Sequence, residues 1–209
     1  MLEVNNEIMY HDIIDSMVAA LEARDFYTSG HSTRVSDMTY KLCKALKLES
    51  QEVDMFHIAA HLHDIGKIGV SDNILNKNGK LNSEEWKAMK EHCQIGYNIL
   101  SKANSLKEIS HIVLHHHERW DGTGYPLGLK AEEIPMGARV IAVCDSIDAM
   151  KSDRPYRKLI SDEECFNEIL KNKGIMYDPK VVDCIIEHWY EIVTEYYKQK
   201  NNCKTKVKN

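Results

Sequence analysis

Apolar positions return every three or four residues along most of this chain, the period of an α-helix. Ile13, Ile14, Met17, Val18 and Leu21 mark one such face over 8–24. Val35, Met38, Leu42 and Leu46 mark another over 31–46. Ser50 is placed to cap a third helix carrying Val53, Phe56, Ala60 and His63 along one side, and Gly66 and Gly69 are placed to end it. Asn82 and Glu85 have the spacing of a reciprocal cap, which predicts a helix carrying Trp86, Met89, His92 and Cys93. A further helix is expected over 105–117. Pro135 opens an apolar helical run that Asp145 interrupts. Ser161 and Glu164 repeat the capping pair, and a last helix is expected over 179–197. No alternating strand pattern of useful length, internal repeat or linker is present. The expected fold class is therefore all-α: one helical domain over 1–198, then an aperiodic, lysine-rich and flexible tail over 199–209.

Bulk properties narrow the function. A chain of 209 residues is long enough to bury a sizeable core. Its net charge of −5 argues against binding a nucleic-acid polymer, which wants a basic surface. A small anion stays compatible, because a bound cation outweighs the global balance locally. Cys43, Cys93, Cys144, Cys165, Cys184 and Cys203 form no C-x-x-C pair, which suits reduced thiols in a cytoplasmic protein. The first residues lack the pattern of a signal peptide, and no apolar stretch approaches membrane-spanning length.

Three features concentrate the chemistry. His115-His116-His117 runs into a glycine-rich loop, Glu118-Arg119-Trp120-Asp121-Gly122-Thr123-Gly124-Tyr125-Pro126. His63-Asp64 precedes Ile65-Gly66-Lys67, and Asp145 lies far downstream. Adjacent helical residues point about 100° apart, so such pairs share one site only near a helix end. Asp64 is more naturally a bridge between two metals, with one carboxylate oxygen to each. His31, His92 and Asp145 can complete the donor sets. Five neutral imidazoles and two aspartates carry −2, and two divalent ions bring the centre to +2, fit to hold a phosphodiester and a hydroxide. Nitrogen and oxygen donors suit iron or manganese, with zinc and nickel also compatible. The absence of thiolates beside the motif argues against a structural zinc site. The bland alternatives are a tight turn for the glycines, an Asp145 paired with Arg139 or Arg154, and incidental i,i+4 pairs at His57/His61 and His111/His115.

These residues resemble the HD-GYP family, bacterial HD-superfamily phosphodiesterases that cleave cyclic di-GMP. The likeness spans roughly 23–158 and includes Gly30-His31, His63-Asp64 through Gly69, Ile74 through Leu81, His92, the loop from His116 to Pro126, Asp145, and Ser152-Asp153-Arg154-Pro155-Tyr156-Arg157. It implies an all-α HD-domain bundle with an embedded dinuclear site. His31, His63, Asp64 and Asp145 would hold one metal; Asp64, His92, His116 and His117 would hold the other. Asp64 and Lys67 would be catalytic. Lys67, Tyr125, Arg154 and Arg157 would contact the substrate. The implied reaction is hydrolysis of cyclic di-GMP to linear pGpG by a metal-bridging hydroxide. The alternatives are another cyclic dinucleotide such as cyclic GMP-AMP, a nucleoside phosphate, or an idle module that only binds the dinucleotide. A homodimer or a signalling partner fits the resemblance. One departure stands out: Tyr27 replaces the glutamate that helps some members hold a third metal, so two metals are expected.

Overall fold

In a computed structural model of the chain, residues 2–24, 30–152 and 160–197 are described. The sequence stretches carrying Tyr27, Arg154 and Arg157, and the expected tail, lie outside them. Among the described residues the architecture is helical, as the apolar spacing predicts, with no named strand. Ten α-helices follow in order: α1 Leu2–Glu22, α2 His31–Ala45, α3 Ser50–Leu62, α4 Asp72–Leu75, α5 Ser83–Lys90, α6 His92–Leu100, α7 Lys107–His115, α8 Met136–Lys151, α9 Asp162–Lys171 and α10 Pro179–Glu187. No described helix is long and apolar enough to cross a membrane.

The centre is built by α2, α3, α7 and α8. Val35, Met38 and Leu42 of α2 meet Val53, Phe56 and Ala60 of α3. Ile112 and Val113 of α7 and Val140, Ile141, Val143 and Ile147 of α8 close the same core. It continues without a break into Ile169, Val181, Val182, Ile185 and Val193. Burying such branched side chains contributes roughly 1.5–3 kcal/mol each, which is what holds the helices together.

Several predicted boundaries move, each for a local reason. Glu49, not Ser50, caps α3, exchanging side-chain and backbone hydrogen bonds with Glu52. That helix ends at Leu62, ahead of both glycines, which sit in a 3-10 turn over Ile65–Gly69. The helix begun by the Asn82–Glu85 box breaks at Glu91, so His92 opens a new helix, α6. The helix expected over 105–117 ends at His115, leaving His116 and His117 on the turn beyond it. The last predicted helix is interrupted at His188 and passes through a π-helical turn over Tyr190–Thr194. The boxes at Asn82–Glu85 and Ser161–Glu164 form as their spacing predicts.

Candidate metal centre

Both histidine-containing pairs leave a helix end, where neighbouring side chains can converge. His63 and Asp64 follow α3, and His116 and His117 follow α7. His31 opens α2, His92 opens α6, and Asp145 projects from the middle of α8. All seven sequence-predicted donors meet in one place.

They form two clusters. The donor atoms of His31, His63 and Asp145 lie within 4.8 Å of one another, as do those of His92, His116 and His117. Asp64 stands between them. Its Oδ2 faces His63 Nε2 at 3.4 Å and His31 Nε2 at 3.8 Å, while its Oδ1 faces His92 Nε2 at 3.6 Å. Each carboxylate oxygen thus addresses a different cluster. Gly66 permits this closeness: a Cβ there would stand 1.8 Å from the His92 carbonyl oxygen, so a side chain would force α6 off the turn.

The rings are oriented from behind. Nδ1 of His63, His92 and His116 reaches the carbonyl oxygens of Ala60, Met89 and Val113 at 2.7, 2.8 and 2.6 Å. With Nδ1–H donating to a carbonyl, Nε2 is left as a lone-pair donor aimed into the site, the arrangement that metal-ligating histidines adopt. His63 Nε2 is buried and has no hydrogen-bond partner. Such an orphan is costly unless something binds it.

Electrostatics agree with a cation site. Burial pushes the His92, His116 and His117 imidazoles down, His117 to about 3, so these rings stay neutral and able to donate a lone pair. Burial alone would raise the Asp64 carboxyl, but Lys67 and the surrounding imidazoles hold it well below the usual range. Asp145 is likewise driven down against burial by its hydrogen bond to His31, 3.3 Å from its carboxylate. His31 behaves differently: burial works against its charge, yet Asp145 and Asp148 carry it up to about 9. A buried and a half-buried carboxylate set among His92, His116 and His117 rings that stay neutral, with His31 holding a proton that a cation would displace, are a donor set for divalent ions, and the residues fit the metals that the motif suggests.

The structure adds residues that the sequence did not single out. Asp148, one turn beyond Asp145 on α8, is fully buried and accepts from His31 Nδ1 at 2.7 Å. It also accepts from Arg34 Nε at 2.6 Å, Ser152 Oγ at 3.0 Å and Tyr197 Oη at 2.5 Å. It orients His31 as the carbonyls orient His63, His92 and His116. The spacing Asp145-x-x-Asp148 in an apolar run is the signal that could have found it. Nothing in the sequence singled out Cys93, whose Sγ lies within 4.8 Å of the donor atoms of His92, His116 and His117. Nor does Arg139 serve Asp145; it pairs with Asp178 at 2.6 Å, and the cationic partner of Asp145 is His31.

Beside the clusters, Lys67 Nζ donates to Asp64 Oδ2 at 2.7 Å. The Tyr125 ring lies 4.9 Å from that of His117, with Lys90 Nζ 5.6 Å over its centre and Trp86 at its edge. Glu118 pins this loop by accepting from the Leu127 and Gly128 amides at 2.7 and 3.1 Å. Gly124 packs so closely that a Cβ would stand 2.3 Å from the Arg119 nitrogen.

Comparison with known proteins places the chain in a family. The HD domain family model matches residues 15–181. A cyclic di-GMP phosphodiesterase from Thermotoga maritima is 42% identical over 192 residues, covering 91% of this chain and 52% of its own length. The 3'3'-cGAMP-specific phosphodiesterase 2 of Vibrio cholerae is 36% identical over 193 residues, 91% of this chain and 36% of that protein. The chain thus spans about half or less of these relatives. A solved cyclic GMP-AMP specific phosphodiesterase of V. cholerae shares the fold with a TM-score of 0.65 at 17% identity, over 85% of this chain and 48% of that one. The L. monocytogenes phosphodiesterase HD domain gives 0.61 at 14% identity, over 87% of this chain and 98% of that one. An all-helical bundle gathering histidines and aspartates in this order is an HD domain. The chain belongs to the HD domain family, in its HD-GYP group.

Proposed function

We propose that the chain is a metal-dependent phosphodiesterase that hydrolyses cyclic di-GMP to linear pGpG. The observation that carries the reading is Asp64, whose two oxygens face two separate imidazole clusters. His31, His63, Asp64 and Asp145 would hold one divalent ion, and Asp64, His92, His116 and His117 the other; iron or manganese suits these donors. Such ions lower the pKa of water towards about 7 and take up charge on phosphoryl oxygens. The relatives named for cyclic dinucleotides support the substrate class.

The chain's own side chains supply the rest. Lys67, ion-paired with Asp64 Oδ2, is placed to yield that oxygen and turn to a substrate phosphate, adding positive charge where negative charge builds up. Burial raises the Tyr125 phenol, so its hydroxyl stays protonated and can donate to the ligand, while the ring offers an apolar face. The Glu118 contacts hold the loop that carries Tyr125. Arg154 and Arg157 would clamp the second phosphate or a guanine edge, which guanidinium forks match.

The test is anaerobic purification, metal analysis and product identification with cyclic di-GMP and 3'3'-cGAMP side by side. The expected result is two ions per chain and pGpG from cyclic di-GMP, with both lost in Asp64→Ala. Faster turnover of the mixed dinucleotide would transfer the reading to that substrate. Tight binding without cleavage by metal-replete protein would make the chain a sensor.

A further inference from the structure

The fully buried thiol of Cys93 stands apart from its counterparts. Cys43, Cys144 and Cys165 belong to the continuous apolar core, and Cys93 does not. Its sulfur instead lies 3.5 Å from His92 Nε2 and within 4.8 Å of the donor atoms of His116 and His117. Within the same cluster His92 Nε2 is 3.4 Å from His116 Nε2, and Asp64 Oδ1 is 3.6 Å from His92 Nε2. Neighbouring donors bound about 2.0–2.3 Å from one ion stand about 3.0–3.7 Å apart. The thiol therefore stands at a ligand-to-ligand distance from His92, within reach of the same cluster.

We propose that Cys93 is a direct ligand of the metal ion at the His92, His116 and His117 cluster, which makes the two metal positions chemically unlike. One is served by imidazole and carboxylate alone; the other adds a thiolate. On binding, a sulfur–metal bond forms and the S–H proton passes to solvent, with no change of oxidation state. A coordinating thiol gives up its proton outright, because the cation's field outweighs the cost of burying the anion. Thiolate donors select iron and zinc over manganese, so the second position discriminates against manganese more strongly than the first. The chain's metal preference is then set partly by this residue. The inference rests on the metal-binding part of the proposed function and is independent of the substrate.

The test loads the metal-free full chain with cobalt(II) under anaerobic conditions and records cobalt stoichiometry and the absorption spectrum. The expected result is two cobalt ions and a near-ultraviolet thiolate-to-cobalt charge-transfer band. Cys93→Ser and Cys93→Ala should lose the band while still binding cobalt at the first position. A chain carrying both Cys184→Ser and Cys203→Ser should keep it, which excludes those two thiols as its source. Zinc should displace manganese less completely from Cys93→Ser than from the unaltered chain. Two bound cobalt ions without the band would overturn the ligand assignment and leave the dinuclear reading standing. A band that survives in Cys93→Ala, or disappears in the double serine variant, would also overturn it. Failure of the unaltered chain to bind cobalt at all would overturn both.

Discussion

Asp148 shows how much of the centre depends on side chains that would touch no metal. It fixes His31 through Nδ1 and is itself held by Arg34, Ser152 and Tyr197. Replacing it with asparagine preserves shape but removes the charge facing His31 and Arg34. We expect Asp148→Asn to weaken metal binding at the His31 cluster by about 10–100-fold, the usual cost of losing an orienting partner. Competition with a chromophoric chelator would measure this, and the His92 cluster serves as an internal reference. Equal affinity at both positions before and after the change would show that Asp148 has only a packing role. Of the seven donors, the adjacent pairs His63-Asp64 and His116-His117 were legible because adjacency at a helix end is itself a chemical signal. Asp148 was not, since its meaning depends on which helix packs against α8.

Among the helices, the geometry depends on how closely neighbours approach. The Ile65–Gly69 turn meets the start of α6 at Gly66, where no side chain fits between it and the His92 carbonyl. Gly66→Ala should destabilise the fold by about 1–3 kcal/mol through overpacking. It should also draw His92 away from Asp64. Urea unfolding and metal stoichiometry would follow the two effects, and an alanine variant with unaltered stability and two ions would contradict the contact. The sequence marked Gly66 as a helix stop, but its use is close approach, which no local pattern reveals. Asp162 plays a comparable part at the start of α9. It accepts from Lys151 of α8 at 2.9 Å, and from Trp189 and Thr194 near the C-terminal turn at 3.0 and 2.6 Å. Burial alone would raise its carboxyl; these hydrogen bonds hold it below the usual range. A carboxyl depressed in the folded state contributes stability above its unfolded pKa of about 3.9 and loses it as pH falls below that value. Asp162→Asn should therefore lower stability at neutral pH by about 1 kcal/mol, with the difference shrinking on acidification below about pH 4. A constant difference across that range, read by urea unfolding, would remove the carboxylate from the account.

At the scale of the molecule, helices distant in sequence supply donors to one buried point, so metal binding and folding should be linked. An ion held only by the folded chain, at a hundred times its dissociation constant, adds about 2.7 kcal/mol. For a chain of this size that corresponds to a rise of about 5–10 °C in the unfolding midpoint. We expect this rise on adding manganese or iron(II) to chelator-treated protein, and a smaller one in His116→Ala. Calorimetry showing no metal dependence would argue against a site assembled from α2, α3, α6, α7 and α8. The helical class, the two predicted capping boxes and the histidines and aspartates that converge on the site were legible in the sequence, because periodicity, cap spacing and side-chain type are local properties of residues. The assembly of two clusters around Asp64, the service of Asp148 to His31, the pairing of Arg139 with Asp178 and the approach of Cys93 to His116 and His117 were decided only by the tertiary structure. Each of these is a meeting of side chains, settled by which helix faces pack together in the core.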